Sequence, residues 1–416
     1  MSTQANKNGN PVKKITYLVI LLLALQVIKA VLVKFDLFQA FFLGILIGAI
    51  QFLIVTALLL FVLNRFVLKN FFSGKRLMVL TVVLMIVQLV GLELLFGWWL
   101  KHPAKIPGFL FSSFRYYYFQ YHRRIFQYEE DATAFNDKLF YTLKPNSTFT
   151  FWNSEFHTSY TVNSAGMRDD SASLDKPEII CLGDSYMMGW GVEQQETFAQ
   201  QLEKKTSKKV LNGGVSSYGT AREILSLSNV DLSKLQYLLI QYCTNDEAEN
   251  RSYIDSGYRL ETSSEALFDK IRREHSINKQ YFPGEHFATI TKLWLKQNIN
   301  KVYRIFPLDK EGDGRISTGD LALFLDIVAK APVDFAKVKV LLFQFDEPPT
   351  ATNRFAALTD SLLQTPRFKA IFNDHVEVVN LEKTFTRDDY FILDTHLRAS
   401  GYTKAVDTIS QRMKAH

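Results

Sequence analysis

Four short segments of this 416-residue chain carry side chains suited to acyl chemistry. Gly183-Asp184-Ser185 offers a hydroxyl, and Asp394-Thr-His396 offers a base beside a carboxylate. A serine hydroxyl is a poor nucleophile at neutral pH; His396 can take its proton while Asp394 holds the imidazole in the right tautomer. Asn212-Gly-Gly214-Val-Ser-Ser-Tyr-Gly219 lets a backbone amide approach a bound ligand, and Thr244-Asn245-Asp246 brings a carboxamide donor. With the amide of Ser185 itself, Gly214 and Asn245 can receive the charge of an oxyanion. Singly, each segment has a plain structural reading: a turn with an N-cap at Gly-Asp-Ser, a bend at Gly214, a turn residue at Asn245, a helix-start histidine at His396. Together, in this order, they point to ester hydrolysis or acyl transfer through Ser185, His396 and Asp394.

For these residues to meet, each segment must follow a strand of one sheet. Apolar runs at Ile179 to Leu182, Val210 to Leu211, Tyr237 to Tyr242, Val338 to Phe345 and Val376 to Leu381 alternate with helical patterns such as Thr197 to Lys205 and Asn353 to Phe372. Strands apolar on both faces and separated by helices predict an α/β fold with a parallel sheet covered on each side. Sites in such sheets lie at the carboxyl ends of the strands. Ahead of them, Ser147 to Trp152 and His157 to Val162 alternate apolar and polar residues, as small antiparallel strands do.

From about Pro177 to the C-terminus the chain resembles the SGNH/GDSL hydrolase superfamily, whose four sequence blocks contribute Ser, Gly, Asn and His. The resemblance implies a three-layer α/β/α sandwich of flavodoxin-like order around a five-stranded parallel sheet. It implies Ser185 as nucleophile, Ser185, Gly214 and Asn245 as oxyanion-hole donors, His396 and Asp394 as base and orienter, and no cofactor or metal. Cys243 stands where the third block often has Gly, and Arg398 where the last often has Asn; neither is asked to move a proton. The segment Tyr160-Thr-Val-Asn-Ser-Ala-Gly-Met-Arg168 resembles the one that precedes the hydrolase block in membrane-attached members.

The N-terminal quarter is of another kind. Ile15 to Val33, Phe38 to Leu63 and Leu77 to Leu100 are each near or above the length that crosses a bilayer. Lys7, Lys13 and Lys14 precede the first, and Arg65, Lys69, Lys75 and Arg76 follow the second, which places those flanks in the cytoplasm and the C-terminal bulk outside. That outcome holds whether the first stretch is a cleaved signal or, despite Lys29, a span. The expected organisation is a membrane region over 1–105, an interfacial helix and β-rich lead-in over 106–176, and a hydrolase domain over 177–416, in an inner membrane with the catalytic part periplasmic. The run Phe114 to Phe126, rich in Tyr and Arg, reads equally as a belt at headgroup depth or as a helix packed on the soluble part.

Charge narrows the partners. Residues 1–105 hold 11 Lys and Arg against 2 acidic residues, whereas the rest holds 37 against 40, so the basic pI belongs to the membrane flanks and nucleic-acid binding is excluded as the working reading. An extracytoplasmic site suggests acylated glycans or lipids as substrates. The rivals are O-acyl transfer to an envelope or secreted polysaccharide with a membrane partner, and an inactive glycan-binding protein using Trp190 and Tyr218. Asp309 to Asp320 follows the spacing of a calcium loop, yet also reads as an acidic turn capping the next helix. The histidines show no zinc-like spacing, and Cys181 and Cys243 read as small buried residues rather than a disulfide.

Overall fold

The computed structural model describes residues 16–17, 20–21, 23–25, 39–69, 71, 73–278, 281–303, 316–345 and 354–414. The chain divides into two compact units. One comprises Met1–Leu100, Ile106–Tyr117 and Tyr281–Leu308, the other Lys101–Lys105, Tyr118–Gln280 and Asp309–His416. The units thus do not follow the boundaries expected near 105 and 176.

In the first unit, helices α1 (Gln39–Val62) and α2 (Gly74–Lys101) are apolar over most of their length. Ile50–Val67 and Gly74–Lys101 are long and apolar enough to cross a membrane. Val79, Val82, Val83, Ile86, Val87 and Val90 of α2 are exposed apolar residues and not part of a protein core. The first apolar stretch, Ile15 to Val33, lies largely outside the described residues. Helices α3 (Gly108–Tyr117) and α9 (Glu285–Tyr303) complete the unit. Glu93, the acid inside α2, is one tie to a late segment that returns here. Its carboxylate accepts from the His286 and Phe287 amides at 3.2 and 2.8 Å, in the first turn of α9, and from the Tyr281 hydroxyl at 2.6 Å. A carboxylate at a helix N-terminus satisfies orphan amides and the helix dipole together.

The second unit opens with two antiparallel hairpins. Strands β1 (Thr133–Asn136) and β2 (Phe140–Leu143) form one, and β3 (Ser147–Asn153) and β4 (Phe156–Val162) the other. Along β3 and β4 burial alternates as the sequence does: Phe149, Phe151, Phe156 and Tyr160 point inward, while Trp152 is exposed. Five parallel strands follow, β5 (Ile179–Leu182), β6 (Val210–Asn212), β7 (Tyr237–Tyr242), β8 (Lys339–Gln344) and β9 (Val376–Val378), in the order β6-β5-β7-β8-β9. Between and after them run α4 (Ser185–Met188), α5 (Phe198–Thr206), α6 (Thr220–Ser226), α7 (Glu247–Asp255), α8 (Glu265–Asn278), α10 (Thr318–Val328), α11 (Phe355–Leu363), α12 (Pro366–Phe372) and α13 (Ala399–Lys414).

Period-two alternation sends Ile180, Leu182, Leu238 and Ile240 to a core shared with α6, α10 and α11. It sends Ile179, Cys181, Leu239 and Leu341 to a second core shared with α5 and α13. The fold is therefore α/β, with helices on both faces of a five-stranded parallel sheet. The single helix expected over Asn353 to Phe372 is two, because Thr365 is extended and Pro366, lacking an N–H, starts a new first turn. In this strand order the chain reverses direction across the sheet between β5 and β7, the position at which sites of such sheets lie, at the carboxyl ends.

Candidate active site

Ser185 stands at that reversal point. β5 ends at Leu182, Gly183 and Asp184 make the turn, and Ser185 is the first residue of α4, with the Asp184 carboxylate accepting from the Tyr186 amide at 3.0 Å. The turn is tight enough to require glycine: a Cβ on Gly183 would lie 2.4 Å from Gln241 Oε1 and 2.6 Å from Met187 Cβ. Position N1 leaves the Ser185 N–H outside the helix ladder, pointing with the helix dipole. Burial raises the Asp184 carboxyl above its usual range, the Tyr186 amide and His396 opposing it.

The other half of the site is irregular. Residues 391–396 form a loop pinched at its base: the Phe391 amide donates to the His396 carbonyl at 2.9 Å, the Arg398 amide to Asp389 at 2.7 Å, and Tyr390 bridges Leu397. From this loop His396 places Nε2 2.8 Å from Ser185 Oγ, and its Nδ1 is hydrogen-bonded to Asp394 Oδ1. Asp394 is fully buried and His396 is 7 % exposed. Burial alone would raise the Asp394 carboxyl; His396, Arg123 and the donated hydrogen bonds outweigh it and hold the group below the usual carboxylate range. The imidazole lies between two aromatic rings, Tyr186 at 4.6 Å and Trp190 at 5.1 Å between centroids, the latter inclined by 20°. These two ring contacts restrain the plane of the imidazole.

The expected oxyanion donors fare differently. The Gly214 N–H donates to Asn212 Oδ1 at 3.1 Å. Gly214 is demanded instead by close approach, since a Cβ there would lie 2.4 Å from the Met188 amide nitrogen of α4. Three residues on, Ser217 has φ +59°, and its N–H has no hydrogen-bond partner among the described residues. Asn245 is exposed in the turn after β7, the strand beside β5, and its side chain bonds no described residue. Ser185, His396 and Asp394 are thus brought into contact, Gly214 is occupied elsewhere, and Asn245 stands free at the same edge of the sheet.

Motif reading missed a set of residues ahead of β5 that bind the segments after β5 and β6 and the loop of Asp394 and His396. The Tyr118 hydroxyl donates to Asp394 Oδ2. Glu155, in the turn of the β3–β4 hairpin, accepts from the amides of Ile392, Leu393 and Asp394 at 2.6, 2.7 and 3.0 Å. Arg168, fully buried, donates to the carbonyls of Gly189 and, at 2.6 Å, Val192, just beyond α4, and lies 3.8 Å over the Tyr160 ring. Asp169 accepts from the Asn212 amide at 2.8 Å, and the Tyr141 hydroxyl donates to the Ser216 carbonyl. Of these, Arg168 and Tyr118 lie in segments that the sequence singles out, and neither carries a site role there. The clue available to a reader was polarity out of place: Tyr118 sits in a run whose rings Phe114, Tyr117, Tyr118 and Phe126 are all buried in protein.

The calcium-like loop is described only from Ile316 onward. There Ser317 caps α10, accepting from the Asp320 amide at 3.1 Å, while Asp320 accepts from the Ser317 amide and pairs with Arg251 at 3.0 Å. Asp320, its twelfth position, is engaged in a capping box. Among the described residues no group of acids, histidines and cysteines is arranged to hold a metal ion. Both cysteines are free thiols.

No family model and no curated protein matches this chain. Among solved structures, one described as "a putative platelet activating factor from Streptococcus pneumonia" aligns over 58% of this chain and 86% of its own, at 13% identity and a TM-score of 0.28. A superposition that loose carries no argument about fold or activity, so the functional reading rests on the site.

Proposed function

We propose that this chain is a membrane-anchored serine ester hydrolase of the SGNH/GDSL type, with Ser185, His396 and Asp394 as its triad. The observation that carries the reading is a chain of two hydrogen bonds, Ser185 Oγ to His396 Nε2 at 2.8 Å and His396 Nδ1 to Asp394, at the carboxyl edge of a parallel sheet. In the reaction Ser185 attacks the acyl carbonyl as His396 takes its proton. The imidazolium, fixed by Asp394, then protonates the leaving alcohol, and water attacks the acyl-enzyme by the reverse relay. The tetrahedral oxyanion is received by the Ser185 N–H at the start of α4 and by the Asn245 carboxamide, which a bound acyl group would draw inward. A further amide of the Asn212–Gly219 loop would join them; with the Gly214 N–H taken by Asn212, the Ser217 N–H, at φ +59°, is one candidate donor.

The two apolar helices α1 and α2 and the basic residues that flank them support an anchor with the site outside the inner membrane, and such a location favours acylated glycans or lipids as substrates. The test is labelling of the detergent-purified protein with a fluorophosphonate ester. Stoichiometric labelling is expected in the parent and none in Ser185→Ala or His396→Ala. A folded parent that stays unlabelled would remove the reading and favour a binding protein.

A further inference from the structure

We infer that Tyr118 and Glu155 are positioning residues of this site, acting on the Asp394–His396 loop and not on the substrate; the inference rests on the serine-hydrolase reading above. The loop closes on itself through the Phe391 amide on the His396 carbonyl at 2.9 Å and the Thr395 amide on the Phe391 carbonyl at 3.2 Å, and Thr395, next to His396, holds φ +66°, a sparsely populated conformation for a β-branched residue. These bonds leave the amides of Ile392, Leu393 and Asp394 to an acceptor outside the loop. Glu155 collects three successive amides, those of Ile392, Leu393 and Asp394, on one carboxylate whose side chain is 4 % exposed. Successive N–H groups converging on an anion fix a backbone path, because no other described acceptor replaces it. Arg398 lies 3.8 Å from the same carboxylate and neutralises it from the solvent side.

Tyr118 acts one atom further in. Asp394 has two carboxylate oxygens: Oδ1 serves His396, and with only that partner the group is free to rotate about Cβ–Cγ. The phenol of Tyr118 on Oδ2 removes this freedom and withdraws part of the negative charge from the imidazole. Tyr118 is itself 0 % exposed, its ring against Phe119 and His122. Burial, followed by the charge of Asp394, raises its phenol well above the usual range, so it remains a donor. The two residues come from separate places, one before the first hairpin and one at the tip of the second, and converge on a six-residue loop. Hairpin β3–β4 and the segment before β1 are on this account parts of the catalytic apparatus.

The experiment measures the second-order rate of fluorophosphonate labelling against pH for the full chain in detergent, with parent, Ser185→Ala, Tyr118→Phe, Glu155→Gln, Asp394→Asn and the Tyr118→Phe/Asp394→Asn pair. Near-ultraviolet circular dichroism confirms folding. Tyr118→Phe and Glu155→Gln are expected to label roughly 10- to 100-fold more slowly than the parent, the scale of a small misplacement of a reacting group. In Tyr118→Phe the midpoint of the pH profile moves upward, because the whole Asp394 charge then favours the imidazolium. In the Asp394→Asn background Tyr118→Phe costs nothing further, as a residue acting through Asp394 requires. Parent-like rates with an unmoved midpoint in both single variants, or losses that add fully in the pair, overturn the inference while leaving the hydrolase reading intact. A parent as inert as Ser185→Ala overturns that reading, and the inference with it.

Discussion

The two halves of the candidate site are built by opposite means. Ser185 is held by regular structure: a buried strand, a two-residue turn closed by Gly183, and the first position of a helix capped by its own neighbour Asp184. Asp394 and His396 sit in an irregular loop whose shape is set by side chains more than 230 residues away, Glu155 and Tyr118. A nucleophile on a strand-to-helix turn needs only local geometry to be exposed and pre-aimed. A base that must meet it to within a fraction of an ångström, from the far end of the chain, needs remote partners to remove its freedom.

This contrast can be attacked where its largest effect lies. Asp394→Asn is expected to lower labelling by about 10⁴-fold while leaving the fold intact, since the amide imposes the wrong tautomer on His396; a loss below tenfold would mean the orienter is elsewhere. Next, Glu155→Ala orphans three amides, and an unmet buried donor costs about 1–3 kcal/mol. Hydrogen exchange at Ile392, Leu393 and Asp394 should therefore quicken by about 10- to 100-fold, with Tyr186 and Met187 unchanged. Equal quickening at both places would erase the distinction between the halves.

A third variant probes the serine side. Arg168→Met strips donors from the carbonyls of Gly189 and Val192, so the unfolding midpoint should drop by the equivalent of about 1–3 kcal/mol. The labelling rate of the folded fraction should change less than in Glu155→Gln, because β5 and the cap still place Ser185. A rate loss as large as that of Glu155→Gln would show that the serine too depends on remote ties.

The smallest expected effect concerns pH. Burial raises the Asp169 carboxyl to about 7, against the two amides it accepts from, so the folded state favours its protonated form. That contribution to stability is present below the unfolded value of about 4 and is lost as pH rises through about 7. In thermal unfolding between pH 5 and 8, Asp169→Asn should show a shallower decline than the parent, and an unchanged slope would assign the decline to other buried acids.

How far the sequence carried can be seen element by element. β5 and β7 begin and end at the residues their apolar runs mark, and β3 and β4 follow their alternation to within a residue or two. Ser185, Asp394 and His396 were legible because each motif follows a strand or precedes a helix, and the order of strands brings those ends together. Hairpin β1–β2 was not, being four residues a side without clean alternation. Nor was the return of α9 to the unit of α1 and α2, which rests on Glu93 meeting the start of α9 and on bonds from Tyr117 to His286 and from Ser113 to Gln297.

What the sequence by itself determined is therefore the strands of the parallel sheet, the second hairpin and the chemistry the turns can offer: clear periodicity specifies strand or helix, and glycine, serine, histidine and aspartate specify what a turn can do. Only the tertiary structure decided which amide is consumed, as that of Gly214 is by Asn212, and which distant side chains hold the loop of Asp394 and His396. Periodicity acts between neighbours along the chain. A hydrogen bond such as those of Tyr118 and Glu155 joins groups whose separation in sequence carries no information about their separation in space.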